Sequence, residues 1–262
     1  MEVGVKNQNK YYHIMLGIFP VISLGCFIAL WYFVAAYTDY RIPNLTQVWE
    51  RFLVTLEKPI AKKSIFEHAG ISLLRVVKAL LCSIVLGIPL GLMMGWNKTF
   101  RGIVRPVFEA IRPIPPIAWI PLITMWFGIG ELPKIIIIFL GTFVPIVVNS
   151  YTGVAMVPRL NTDAGKIFGA DGRKLLTDIV LPTAFPSIFA GIRTAIGTGW
   201  VVMLAAEMIS AKSGLGFLVI RGQDVSDYPL ILLAMIFIGV IGAALSFIFN
   251  RIERCICPWM EK

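Results

Sequence analysis

Few residues in this chain have the types and spacing that catalysis requires. The two histidines, His13 and His68, flank apolar runs far apart in sequence, and isolated histidines at such positions are more often solvated than catalytic. The glycines and lysine of residues 169–174 lack the G-x-x-x-x-G-K-S/T spacing of a phosphate-binding loop. The four cysteines have no nearby histidine partners for a zinc site. We therefore predict no enzymatic activity and no metal or cofactor site for this polypeptide alone.

One polar segment, residues 158–186, lies between two long apolar runs. Its informative residues have a fixed spacing that ends in a proline: Asp163, Ala164, Gly165, Phe168, Gly169, Ile179, Leu181 and Pro182. Lys166, Arg173 and Lys174 keep the segment soluble. Ile167 and Phe168 offer apolar contacts to a partner. We expect a soluble protein to dock here. An ordinary positively charged loop is the alternative, but charge alone does not require this spacing.

Local signals predict a docking helix within the 158–186 segment. Asn161 or Thr162 is expected to cap it, and Asp163 is expected in its first turn, where the helix dipole favours an anion. Gly169 allows a partner to approach the backbone closely, or the chain to turn. Leu181-Pro182 is expected to end local helix before the next apolar span begins.

The composition requires lipid as the solvent for much of this protein. Of 262 residues, 57% are hydrophobic and 15% are charged, with a mean hydropathy of +0.80, so polar groups are too few to cover a folded surface. The net charge is +9, but the basic residues lie in short connections rather than in a stripe with interleaved aromatics. We therefore predict an all-α, polytopic membrane protein that has membrane lipid and no nucleic acid as a partner.

Six apolar spans of about 20 residues are predicted to cross the membrane. They are 14–37, 73–95, 107–127, 134–154, 187–208 and 230–250. The first is read as retained rather than cleaved, because no small-residue cleavage site follows it. The chain then divides into an N-terminal helix with an external segment (1–70), a membrane core (71–250) and a cytoplasmic tail (251–262).

Basic residues predict the orientation of these spans. They lie before the first span, between the second and third, between the fourth and fifth, and after the sixth. These four connections fall on one side, which places both termini and the 158–186 segment in the cytoplasm. The external segment 38–72 also carries basic residues, which weakens the argument for the first span.

Two rows of small residues predict close helix packing. They are Gly87-xxx-Gly91-xxx-Gly95 in the second span and Gly191-xxx-Ala195-xxx-Gly199 in the fifth. Small residues four apart leave a flat face on which another helix can lie. The partner is either another helix of the same chain or a second copy of the chain.

The third span contains four prolines between Arg112 and Pro121. Each proline removes a backbone donor and clashes with the preceding turn. Broken backbone at membrane depth persists only inside protein or beside a watery cavity. We expect either an interrupted helix next to a transport pathway or a kinked helix near the cytoplasmic interface.

The 158–186 segment resembles the coupling loop of ABC importer permeases, usually written E-A-A, three residues, G, nine residues and I-x-L-P. Asp163 stands in place of the Glu, and Gly165 in place of the second Ala. From about Ser72 to Asn250 the chain is similar to the nitrate/sulfonate/taurine branch of binding-protein-dependent permeases. The stretches that carry this similarity are 87–91, 112–119, 126–130, 199–207 and 213–217.

This resemblance implies a type I ABC importer permease in a bacterial inner membrane. Its partners would be a second permease copy in a homodimer, an external substrate-binding protein, and two cytoplasmic ATPase subunits that carry ATP and Mg. Asp163, Gly165 and Gly169 would form the docking knob. In this family the binding protein sets selectivity. A small organic sulfonate is the first expectation, and nitrate, bicarbonate or a heterocyclic vitamin precursor stays open.

Polar and aromatic residues of the spans are candidates for the pathway or its gate: Arg112, Pro115, Pro116, Trp119, Arg193, Trp200 and Glu207. Glu207, near the outer end of the fifth span, and Arg193, near its inner end, either face the pathway or form structural ion pairs. Arg112 either attracts an anion or anchors its span among phosphates. The tryptophans line a pathway or occupy interfacial positions.

A secondary transporter or channel is the competing function. Glu109 and Glu207 would then form a proton relay. That interpretation explains isolated carboxylates without partners, but it leaves the 158–186 segment unexplained.

Overall fold

The computed structural model describes residues 42–256, together with residues 19, 22–23 and 25–37. Residues 1–18, which include the start of the predicted first span, and residues 257–262 of the predicted tail lie outside the described part. The helices in chain order are α1 (Gly25–Tyr37), α2 (Leu45–Glu57), α3 (Ile65–Trp96), α4 (Lys98–Ile111), α5 (Ile120–Phe127), α6 (Glu131–Ala155), α7 (Arg159–Ile167), α8 (Gly172–Lys174), α9 (Leu181–Ser210), α10 (Leu215–Asp224) and α11 (Tyr228–Ile256). A 3₁₀ turn covers Pro116–Trp119, and a π-helical turn covers Leu175–Val180.

Four described helices are long and apolar enough to cross a membrane. They are α3, α6, α11 and the continuous helix Gly172–Ile209, which contains α9. These four correspond to the second, fourth, sixth and fifth predicted spans, so the all-α, polytopic fold class is confirmed. Over the described part of the first predicted span, α1 is shorter than the length usually needed to cross.

The predicted third span, 107–127, is not one helix. Helix α4 ends at Ile111, and the chain turns through residues 112–115 before the 3₁₀ turn and α5. Pro113, Pro115 and Pro116 explain the break, because each lacks a backbone donor and its ring opposes a continuous α-helix. The interruption predicted from the prolines is therefore present.

Helix α6 lies at the centre of the bundle between α3 and α9. A side chain at Gly91 of α3 would place its Cβ 2.6 Å from both the Cβ of Ser150 and the carbonyl oxygen of Val147. On the other side, a Cβ at Gly191 of α9 would lie 2.6 Å from the Cβ of Asn149. Both rows of small residues therefore pack against α6 of the same chain. Their partner is another helix of this chain rather than a second copy of the chain.

The outer surface of the bundle is apolar. Helix α11 has a mean hydropathy of 2.7 over its most apolar window. Its side chains Val240 and Phe247 are 63% and 62% exposed. Apolar surface of this extent on a helix of spanning length has lipid as its solvent.

Two capped helices border the bundle at the end where α3 begins. The side chains of Asn44 and Ser64 accept bonds from the third backbone N–H of α2 and α3, and form capping boxes with Gln47 and Glu67. Arg51 of α2 donates to the carboxylate of Asp227 at 2.7 Å, which holds α2 against the α10–α11 connection. These contacts fix the entry to α3, which positions the polar groups described below.

Candidate functional site

The 158–186 segment forms a short helix with a defined end. Helix α7 stops at Ile167, and Gly169 adopts a φ of 83°. The N–H of Ala170 donates to the carbonyl of Gly165 at 2.9 Å, and the N–H of Gly169 donates to the carbonyl of Lys166 at 3.0 Å. This pair of bonds is a Schellman motif, which favours glycine at the left-handed position. Gly169 therefore turns the chain, which is one of the two uses expected from the sequence.

Gly165 brings α7 onto the π-helical turn. Its α-carbon is buried, and an added Cβ would lie 3.0 Å from the Cδ1 of Leu175 and collide with the Cδ1 of Ile179. Leu175 is itself 7% exposed, so it cannot swing into solvent without losing its packing. The glycine that replaces the second alanine of the motif thus permits a closer contact between the two halves of the segment.

Two details predicted for the segment are wrong. Helix α7 begins at Arg159, directly after Pro158, whose fixed φ suits a helix start; Asp163 is not in the first turn. The Thr162 hydroxyl donates back to the carbonyl of Arg159 at 2.8 Å instead of capping. Asp163 lies one turn further on and pairs with Lys166 at 3.3 Å.

Leu181-Pro182 does not end the local helix. The N–H of Leu181 donates to the carbonyl of Leu176 in the wider π-helical turn, and the helix continues into α9. Pro182 then occupies the second position of an α-helical stretch, where the missing N–H needs no α-helical partner.

Helix α7 and its end present an apolar face that nothing in the described chain covers. Leu160, Ile167 and Phe168 are 79%, 85% and 90% exposed. The exposed Asp163–Lys166 ion pair lies on the same helix. Large apolar groups with this exposure, with charged residues beside them, are typical of a protein-interaction site. The face lies between the end of α6 and the start of α9, at one end of the bundle.

At the opposite end of the bundle lies a buried polar cluster that we call the Arg75 network. Arg75 of α3 is 2% exposed and donates to both oxygens of Glu131 at 2.6 and 2.7 Å. It also donates to Glu207 at 2.6 Å. Glu207 is 1% exposed and further accepts from the Ser72 hydroxyl and from the N–H of Gly216. The network therefore joins the beginnings of α3 and α6 to the end of α9.

The Arg75 network also holds the Ser213–Gly216 connection before α10. Arg75 donates to the Ser213 carbonyl at 2.8 Å. Gly214, with a φ of 118°, lies so close to Glu207 that an added Cβ would meet the carboxylate. The N–H of Gly214 donates to Nδ1 of His68 at 3.0 Å, so the other ring nitrogen carries the proton and donates to the Ile60 carbonyl. His68 is buried rather than solvated, which corrects the prediction for it.

Arg75 and Glu131 were missed by the sequence analysis. A signal was present, because Arg75 lies just inside the start of the second span while Glu131 and Glu207 lie at the start of the fourth and the end of the fifth. In an antiparallel bundle these three positions fall at the same depth. A cation and two anions at one depth predict an ion pair, since unpaired charges in membranes are costly.

The remaining candidates on α9 lie apart from one another. Arg193 forms an ion pair with Glu253 of α11. Trp200 is 7% exposed, donates to the Ile238 carbonyl at 3.1 Å and packs on Gly242. Glu109, the other member of the predicted proton relay, pairs with Arg105 on α4 and with Arg112, the residue that follows α4. The described contacts therefore place Glu109 and Glu207 in separate ion-pair groups.

A cavity of about 440 Å³ lies between the break in the third span and the middle of α6 and α9. We call it the α6–α9 cavity. Its lining residues are Ile111, Arg112, Ile114, Pro116, Trp119, Leu140, Gly141, Val144, Pro145, Gly197, Thr198, Val201 and Val202. The structure thus brings together Arg112, Pro116 and Trp119 of the predicted pathway residues. Pro115, Arg193, Trp200 and Glu207 are not among its lining residues. Its size is in the range of small-molecule sites.

Comparison with known proteins identifies the class of this chain. The family described as the binding-protein-dependent transport system inner membrane component matches residues 87–262. The taurine transport system permease protein TauC of Escherichia coli (strain K12) is 34% identical over 242 residues, which cover 90% of this chain and 88% of that protein. The chain belongs to this family. The nitrate import permease protein NrtB of Synechocystis sp. (strain PCC 6803) is 27% identical, with 98% and 95% of the two chains covered.

The fold agrees with this family. A chain of the inward-facing MetNI methionine ABC transporter matches with a TM-score of 0.64 and 19% identity, over 73% of this chain and 95% of that chain. This family member is therefore a multi-pass, inner-membrane permease component of an ABC importer. The assignment favours the importer over the competing secondary transporter or channel.

Proposed function

We propose that two copies of this chain form the translocation pathway of an importer. Two separate ATPase subunits would drive it, and an external binding protein would deliver the substrate. ATP and Mg would bind to the ATPase subunits rather than to this chain. Both termini and the 158–186 segment would lie in the cytoplasm, as the distribution of basic residues favours.

The observation that carries this proposal is the exposed apolar face of α7. Phe168 and Ile167 are 90% and 85% exposed, although the helix that presents them is fixed from behind by the contact of Gly165 with Leu175. A rigid, uncovered apolar patch at a loop between two spans favours a docked soluble partner. The motif spacing around Asp163 and Gly169 favours an ATPase as that partner.

Transport would proceed by a shift between two bundle conformations. When the partner ATPases close on ATP, the two 158–186 segments are drawn together, and the outward-open bundle is favoured. The continuous helix from Gly172 to Ile209 connects the docking face with the Glu207 end of the bundle. A displacement of the segment is thereby carried along α9 past the α6–α9 cavity.

The proposed substrate is a small organic sulfonate. The family members that resemble this chain include permeases named for taurine, for aliphatic sulfonates, for nitrate and for bicarbonate. The taurine permease has the higher identity of the first two, at 34% against 27% for the sulfonate permease. Arg112, at the α6–α9 cavity, offers the positive charge that an anionic group requires.

Purification of the chain from its native membrane in mild detergent tests the proposal. We expect a soluble P-loop ATPase in equal copy number, identified by mass, and an assembly mass that contains two copies of each subunit. A ligand screen of the accompanying binding protein by thermal shift then identifies the substrate.

A different result would contradict the proposal clearly. If the chain purified alone and moved solute down a proton gradient after reconstitution, the ATP-driven mechanism would be wrong. Transport that requires the ATPase but does not move sulfonates would refute only the proposed substrate class.

A further inference from the structure

A second cavity, of about 550 Å³, lies between α2 and α11. We call it the α2–α11 groove. Its lining residues are Leu45, Thr46, Val48, Trp49, Phe52, Leu233, Ile236 and Phe237. None of these described lining residues is charged, and every one except Thr46 is hydrophobic. The groove therefore suits an apolar ligand.

The groove has a fixed floor and an exposed rim. At the floor, Val48 and Leu233 are 5% and 4% exposed and belong to the apolar core that also joins α3, α9 and α10. At the rim, Trp49 and Ile236 are 62% and 40% exposed. The ring centroids of Phe52 and Trp49 lie 5.5 Å apart, so aromatic side chains form the α2 wall. Because the floor is packed into the core, the groove is formed before any ligand enters.

The groove lies at the depth of acyl chains. Helix α11 starts at Tyr228, whose side chain is exposed, and a tyrosine at the start of a spanning helix is typical of the membrane interface. Leu233 and Phe237 follow it by five and nine residues. At about 1.5 Å per residue, they lie about 8 and 14 Å along the helix from its start. The hydrocarbon of one leaflet is about 15 Å thick, so the groove spans the chains of a single leaflet.

The groove opens onto a surface that is already in contact with lipid. Val240 lies one turn beyond Ile236 on α11 and is exposed on the apolar outer surface of the bundle. Helix α2 is amphipathic, with Trp49 on its apolar side and Glu50 and Arg51 among its charged residues. Such a helix lies in the membrane interface with its apolar side toward the acyl chains. The lipid-facing surface is therefore continuous with the groove.

The second copy of the proposed function fits a different face of the bundle. Helix α4 leads from the end of α3 to the α6–α9 cavity, which lies beside the middle of α6. Its Arg105 and Glu109 side chains are 55% and 42% exposed. Exposed charges at that depth are costly in lipid, so protein or water has to cover α4. The α2–α11 groove has no charge among its described lining residues and can face lipid without that cost.

We propose that the α2–α11 groove binds one acyl chain of a membrane phospholipid and keeps it when the surrounding lipid is removed. The chain lies between Trp49 and Ile236, above the floor formed by Val48 and Leu233. It holds α2 against α11, in addition to the ion pair of Arg51. A single copy of the chain forms the groove, so this inference does not depend on the proposed function.

The test counts the phospholipids that the purified chain retains together with whatever subunits accompany it. The preparation is stripped of lipid in detergent, and dioleoyl phosphatidylethanolamine or dioleoyl phosphatidylglycerol is added back. Native mass spectrometry then measures the lipid bound to each chain. We expect one tightly held phospholipid per chain. The two headgroups should bind with similar affinity, because the groove contacts the acyl chain.

Tryptophan substitutions fill the groove from its two walls. Thr46→Trp and Ile236→Trp should weaken phospholipid binding by about 10-fold or more, because the ring displaces buried methylene groups of the acyl chain. Both positions are exposed, so the larger side chain does not enter the core. Val240→Trp is the matched control, because it lies on the same helix but outside the groove lining, and it should keep the phospholipid.

Ile236→benzoylphenylalanine identifies the occupant of the groove by photocrosslinking. We expect a product with the mass of one chain and one phospholipid. A product of two chains would show that a second copy fills the groove, and a link to residues 1–41 would show that the N-terminal segment fills it. Either result would overturn the inference.

Three binding results would also overturn the inference. They are no phospholipid retained by the unmodified chain, equal retention in all the tryptophan variants, and a strong preference for one headgroup. The same preparations show separately whether an ATPase is present. A phospholipid retained without an ATPase would refute the importer alone, and an ATPase complex without the phospholipid would refute the groove assignment alone.

Discussion

Phe168→Ala is expected to detach the ATPase without unfolding the permease. The side chain is 90% exposed, so its removal costs the chain itself little packing. In the proposed complex the ring fills a pocket of the ATPase and becomes buried. The variant therefore separates a docking role from a structural role.

The expected loss of ATPase binding free energy in Phe168→Ala follows from the area of the ring that becomes buried. A phenylalanine buries about 200 Å² in a well-packed contact, and about 25 cal/mol per Å² gives an upper value of about 5 kcal/mol. Alanine keeps part of the contact, and interface packing is incomplete, so about 2–3 kcal/mol is expected. That corresponds to an ATPase affinity about 30- to 150-fold weaker.

The assay titrates the ATPase subunit that co-purifies onto the permease in detergent, and compares Phe168→Ala with the unmodified chain. Phe127→Ala is the matched control, because that ring is 51% exposed at the end of α5, next to the start of α6 and therefore at the opposite end of the bundle from the 158–186 segment. The control should retain full affinity. An unchanged ATPase affinity in Phe168→Ala, with an unchanged Tm, would refute the docking role of this face.

Three further changes test the packing and the network. Gly169→Ala forces an alanine to a φ of 83° and should destabilise the 158–186 segment by about 1 kcal/mol, which amide exchange in α7 measures as a faster rate. Gly102→Ala is the control, because its Cβ meets open space in a helix, and it should leave the exchange rate in α7 unchanged. Gly91→Ala should lower the Tm of the purified permease by several degrees, because its Cβ would lie 2.6 Å from atoms of α6. Arg75→Met should destabilise the protein by about 3–5 kcal/mol, measured by chemical unfolding, because it leaves a buried carboxylate without its cation. An unchanged Tm in Gly91→Ala, or an unchanged free energy of unfolding in Arg75→Met, would contradict the corresponding contact.

The long helices of this fold were predictable from the sequence because lipid imposes a simple requirement. A helix that crosses a membrane needs a run of apolar residues, and α3, α6 and α11 each carry one. The ends of these helices were less predictable, because a helix can begin before its apolar run. Helix α3 begins at Ile65, where the side chain of Ser64 caps it, ahead of the predicted span 73–95. The break after Arg112 was predictable because prolines act locally.

The details of the 158–186 segment depend on contacts that spacing does not contain. The sequence placed an anion at the helix start, but the helix begins directly after Pro158, three residues earlier than a cap at Asn161 predicts and four earlier than a cap at Thr162 predicts. The π-helical turn before Pro182 arises where α7 lies against Leu175, a contact that Gly165 permits. The contact between Gly165 and Leu175 cannot be predicted from either residue alone, because the two meet only after the chain has turned at Gly169.

The Arg75 network shows why buried charges are hard to assign from one sequence. Glu207 alone was compatible with a pathway role or with an ion pair, since both keep a carboxylate inside the bundle. Its partners come from two other stretches of the chain, the start of α3 and the start of α10. Gly214 matters because its missing side chain makes room for the carboxylate. Because both oxygens of this carboxylate accept bonds from within the protein, the ion pair with Arg75 accounts for its burial without a bound solute.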